Sequence, residues 1–178
     1  MGESKGLPGL LHGPVIPVPM ATPAGGFDVD REVFRVESNA GGLLGDSTWT
    51  NLSAFAAHGG KLIFYHGLGD PWFSALDTVG YYERMARDTT AGGPVSSWSR
   101  LYLSPGMGHC GGGSSALDQF DMLTAAVDWV EKGRAPDSVV ATGKAFPGRS
   151  RPLCAYPRHA EYDGRGDPND AASFVCRE

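Results

Sequence analysis

Two short apolar runs, each stopped by a glycine-rich loop, constrain this chain more than any other feature. Lys61-Leu62-Ile63-Phe64-Tyr65 is released by Gly59-Gly60 and ends at Gly67, and Arg100-Leu101-Tyr102-Leu103 ends at Ser104-Pro105-Gly106. Runs bounded in this way read as buried strands of a parallel sheet. Between them, a helix around Asp77–Arg87 has Val79, Tyr82, Met85 and Ala86 as its buried positions. After the second run, Ser115 with Asp118 three residues on resembles a capping box, with Asp in place of Glu. It predicts a helix from Ser115 with Leu117, Phe120, Leu123, Val127 and Val130 as its apolar stripe, stopped by Gly133 and Pro136. Strand, loop and helix, twice over, is the grammar of an α/β domain. Sites in such sheets form at the carboxyl ends of the strands.

The flanks are less regular. Residues 1–26 are an irregular segment broken by Pro8, Pro14, Pro17, Pro19 and Pro23, and residues 27–178 hold the α/β part. Asp28 is placed to cap a short helix carrying Val29, Val33 and Val36 and ending near Gly41-Gly42. The tail from Val139 is loop-rich, with one apolar run at Val139-Val140-Ala141. With 26 glycines and 13 prolines among 178 residues, loops must take a large share of a chain long enough for one real core. A net charge of −5 gives no reason to expect nucleic acid or an anionic membrane as partner. No apolar run approaches the roughly 18 residues of a membrane span. The polar start Met1-Gly2-Glu3-Ser4-Lys5 and the broken stretch after it form no signal peptide, and the chain reads as beginning inside a longer protein.

Both loops at the strand ends carry titratable residues. The first is His66-Gly67-Leu68-Gly69-Asp70-Pro71, the second Gly106-Met107-Gly108-His109-Cys110-Gly111-Gly112-Gly113. A carboxylate facing a histidine suits acyl transfer, because the acid holds the imidazole's tautomer while the imidazole moves the nucleophile's proton. Asp before His is also the order of α/β-hydrolase triads. An ordinary surface pair would look the same at this level. The three cysteines, Cys110, Cys154 and Cys176, are consistent with reduced buried thiols or with one disulfide and an orphan.

Several separated segments together resemble the tannase/feruloyl esterase family of α/β-hydrolases. Gly59–Gly67 with Asp70-Pro71 is similar to its acid-bearing segment, and Pro105–Gly113 to its histidine segment. Val127–Gly133 with Ala135-Pro136-Asp137, Arg151–Pro157 and Asp170–Cys176 fit the same pattern in register. The resemblance implies the C-terminal portion of an α/β-hydrolase fold: an incomplete parallel sheet flanked by helices, with a loop-rich tail. It implies Asp70 as triad acid, His109 as general base, a Cys154–Cys176 disulfide and an unpaired Cys110 whose family partner precedes the nucleophile. Phe73 sits where one member has an aromatic substrate contact; Trp72 and His66 are further candidates for substrate binding. The implied activity is serine-dependent hydrolysis of a small aromatic ester, secreted or periplasmic, with no cofactor.

The departure is the nucleophile, since no Gly-x-Ser-x-Gly occurs in the chain. Ser47, in Gly45-Asp46-Ser47, is one substitute; Ser114, Ser115 and Cys110 near His109 are others, and His66, Asp70 and His109 have the ligand types of a metal site. The alternatives to an esterase part are an inactive remnant used for binding or assembly, and a minimal hydrolase with a recruited nucleophile or metal. An incomplete sheet also predicts self-association or a complementing upstream polypeptide as partner. His12, His58 and His159 read as solvated.

Overall fold

The computed structural model describes Asp28, Asp30, Arg31, Phe34 and residues 49–178. The chain falls into two compact units, Met1–Thr48 and Trp49–Glu178. In the first, Asp30, Arg31 and Phe34 are helical, and the Arg31 amide donates to Asp28 Oδ1 at 3.0 Å, the cap expected at Asp28. The segment 1–26, Val29, Val33, Val36, the stop at Gly41-Gly42 and Ser47 lie outside the described residues.

The second unit begins with a short helix, α1 (Ser53–Ala57), then β1 (Leu62–Gly67), α2 (Ala75–Asp88) and β2 (Ser99–Ser104). β1 and β2 pair in parallel from Leu62↔Ser99 to Gly67↔Ser104, with α2 as the crossover. Ser74 caps α2 by accepting from the Leu76 amide, and Tyr82 and Met85 are buried on its inner side, as the spacing predicts. They pack with Trp98, Leu101 and Ala56, and Phe64 and Val79 close over this core. Among the described residues β1 has no strand on its other edge, while β2 is met by Ala155 in a single bridge to Tyr102.

The next helix corrects the sequence reading. α3 runs Met122–Lys132, capped by Asp121 through the Thr124 amide and ended by Gly133 in the left-handed conformation. Ser115 lies in a turn, and Leu117 and Phe120 precede the helix. The buried side of α3 is Trp129, with Met122, Ala125 and Ala126 half-buried on the same face. Leu123, Val127 and Val130 instead stand 76%, 40% and 65% exposed. Two apolar stripes share this helix, and the expected one points away from the core. Lys61 and Arg100 stack on the Trp129 ring at 5.4 and 4.9 Å to its centroid.

The tail is more ordered than predicted. It holds two antiparallel ribbons, β3 (Ser138–Ala141) with β4 (Arg151–Cys154), and β5 (His159–Tyr162) with β6 (Phe174–Arg177). The Cys154–Cys176 disulfide, with Cα atoms 5.6 Å apart, ties β4 to β6. No helix among the described residues is long and apolar enough to cross a membrane.

Candidate active site

Gly67 and Ser104 are paired ends of adjacent parallel strands, so the two loops leave the sheet side by side. They are then stitched together. The Leu68 amide donates to Ser104 O and the Gly69 amide to Met107 O, both at 2.9 Å. A Cβ at Gly67 would lie 2.3 Å from Met107 O, so only glycine allows the loops to come this close.

Asp70 and His109 meet across this seam. His109 Nδ1 lies 2.8 Å from Asp70 Oδ2, and an ionised carboxylate can only accept, so Nδ1 is the protonated nitrogen. The other oxygen, Oδ1, accepts from the amides of Trp72 and Phe73 at 2.8 and 3.2 Å. The carboxylate is thereby tied down on both sides and its side chain is only 4% exposed, against 36% for His109. Burial alone pushes the Asp70 pKa up, but the bonds from His109 and the two amides outweigh it and hold the carboxyl at about 2. His109 Nε2 has no protein partner among the described residues and is free to take a proton from something else.

The aromatic candidates flank this imidazole. The Trp72 and Phe73 rings lie 4.9 and 5.3 Å from the His109 ring, and both side chains are largely exposed. His66 is engaged inside the protein. Its Nδ1 is 2.8 Å from Thr78 Oγ1 and its Nε2 3.2 Å from Phe73 O, so Nε2 donates to the carbonyl and Nδ1 accepts from the hydroxyl. Nε2 also lies 3.5 Å from Asp70 Oδ2. His66 thus braces the acid loop against α2, leaving neither ring nitrogen spare.

Two bracing residues were not read in this role from the sequence. One is Thr78. The other is Asp118, read there as part of a helix cap. Its Oδ2 accepts from the Gly112 amide at 2.8 Å, while the Gly108 amide reaches Gly112 O at 3.1 Å and closes the histidine loop on itself. Cys110 is exposed and unpaired, with φ of 60°. No hydrogen bond joins His109 to Ser114, Ser115 or Cys110 among the described residues.

The sequence pattern of the family described as tannase and feruloyl esterase matches residues 33–177. The chain belongs to the tannase and feruloyl esterase family. Among curated relatives, it is 43% identical to a mono(2-hydroxyethyl) terephthalate hydrolase of Piscinibacter sakaiensis, over 92% of this chain and 29% of that protein. Feruloyl esterase B of Aspergillus niger is 34% identical, over 71% of this chain and 27% of its own length. An esterase structure from Aspergillus oryzae superposes with a TM-score of 0.69 at 30% identity, covering 88% of this chain and 34% of that one. This tannase/feruloyl esterase chain therefore has a partial α/β-hydrolase fold and spans about a third of the length of the relatives it matches.

Proposed function

We propose that residues 27–178 are the acid- and base-bearing C-terminal part of a carboxylic-ester hydrolase acting on aromatic esters, with the nucleophile supplied by a polypeptide outside these 178 residues. The observation that carries the reading is the Asp70–His109 bond of 2.8 Å at the ends of two parallel strands, with Nε2 left open. In this reading Asp70 fixes the His109 tautomer and steadies the imidazolium that forms. His109 Nε2 takes the proton of a serine hydroxyl as it attacks the ester carbonyl, then returns it to the departing alcohol. The rings of Trp72 and Phe73 offer flat apolar faces to an aromatic acyl group. Family membership supports ester hydrolysis, and the aromatic substrate rests on the named relatives and on these two rings.

The test is release of ferulate or p-nitrophenol by the purified chain beside a His109→Ala variant, with fluorophosphonate labelling in parallel. The chain alone should remain near background and take no label, because losing a triad serine costs about 10⁶ in turnover in a worked protease. Turnover on the order of 10 per second, abolished by His109→Ala, would show that a nucleophile lies within the chain. Conversely, adding a nucleophile-bearing upstream polypeptide should restore hydrolysis that His109→Ala then removes. A second reading, a binding or assembly module, is favoured by the exposed Leu123, Val127 and Val130. It predicts association without any such rescue.

A further inference from the structure

We propose that the cavity between the β2 loop and the β4–β6 tail binds a small carboxylate with an apolar body, at a site separate from the Asp70–His109 pair. The cavity measures about 520 Å³, a size that encloses a small organic molecule. Leu68, Leu103, Leu117 and Leu153 form apolar walls, and neither Asp70 nor His109 lines it. The polar side carries Arg149 and Arg151 beside His159 and Arg158, the last already paired with Asp137. Arg149 stacks on the Phe146 ring at 4.6 Å and Arg151 on the Phe174 ring at 4.0 Å, and all four side chains line the cavity. Stacking fixes the guanidinium planes without using their N–H edges.

Both arginines bond only to neutral acceptors. Arg149 Nε donates to Asn169 Oδ1 at 3.2 Å and Arg151 Nη1 to Ser150 O at 2.7 Å. Neither forms an ion pair among the described residues, although Arg100, Arg134, Arg158 and Arg177 each do. Burial pulls the Arg151 guanidinium below its ordinary pKa and the neighbouring Arg149 charge pulls it further, with Asp167 opposing in part. Two half-buried like charges with spare donors have no ion-pair partner among the described residues, Asp167 offsetting them only from a distance, and a carboxylate supplies one in the fork geometry that guanidinium favours. The leucine walls then select a carboxylate carrying an apolar group over a bare inorganic anion. This inference does not depend on the hydrolase reading.

Cinnamate, its neutral isostere cinnamamide, and inorganic phosphate serve as probes, followed by calorimetry and by NMR of labelled phenylalanine and histidine. Cinnamate should bind and shift Phe146 and Phe174 but not His109, with the amide and phosphate each at least about tenfold weaker. Arg149→Gln combined with Arg151→Gln should abolish the preference for acid over amide. The proposal is overturned if acid and amide bind equally, if phosphate binds as well as cinnamate, or if the shifts fall on His109. No binding at millimolar concentration, or an acid preference that survives in the folded double variant, overturns it too. Should that variant fail to fold, the three-ligand comparison on the unaltered chain still decides.

Discussion

Asp70 titrates at about 2, below the ordinary 3.8, because hydrogen bonds to its charged form exist only in the folded chain. A lowered folded-state pKa contributes stability that is full above the unfolded value and is lost as pH falls through the folded one. The gap in urea-unfolding free energy between the chain and Asp70→Asn should therefore be constant above about pH 5 and close towards about pH 2. A gap that stayed constant down to pH 2 would show that the bonds to Asp70 do not favour its ionised form. Asp118 acts at one remove, holding the Gly112 amide at 2.8 Å in the loop that presents His109. Asp118→Ala should cost about 1 kcal/mol and broaden the downfield NMR signal of the His109 Nδ1 proton. Asp118→Asn keeps an acceptor oxygen and should recover that signal; an unchanged spectrum in Asp118→Ala would exclude the positioning role. At this scale the nearness of Asp70 and His109 followed from two glycine loops that each come directly after an apolar run, whereas their assignment as acid and base came from the family resemblance. The roles of Thr78 and Asp118 were not legible, since a side chain that meets a loop several residues away leaves no pattern of its own.

Among the elements, α2 and β2 bury the positions expected of them, whereas β1 forms where predicted but is only half-buried, with Tyr65 exposed beside its unpaired edge. α3 does not bury its expected stripe. Leu123, Val127 and Val130 repeat at helical spacing just as Met122, Ala125, Ala126 and Trp129 do, and pattern alone cannot say which stripe meets the sheet. A helix apolar on two sides is normally covered on both. Together with the unpaired edge of β1, the outer stripe predicts self-association. Sedimentation velocity should show species larger than a monomer, shifting to monomer in Leu123→Ser/Val130→Ser while circular dichroism stays unchanged. A wild-type chain that is monomeric and stable to dilution would rule out that use of the face. β5 and β6 escaped prediction for another reason: each is only four residues long and mostly exposed, and the ribbon is tied to the core by the Cys176 disulfide.

For the molecule as a whole, the Cys154–Cys176 bridge spans 22 residues and ties the more exposed β5–β6 ribbon to the buried strand β4. Replacing both cysteines by serine should lower unfolding stability by about 3 kcal/mol in the chain-entropy view. Thiol titration of the denatured, unreduced chain should find one free group, Cys110; three would mean that the bridge does not form in solution. The α/β architecture around β1 and β2 has a consequence of a different kind. Asp70 and His109 are aligned by one pair of neighbouring strands, a single crossover helix and two loops bonded to each other, all contributed by one continuous stretch of chain. The angle at which the carboxylate meets the imidazole is therefore a matter of local folding, set between Leu62 and Asp118 rather than by elements distant along the chain.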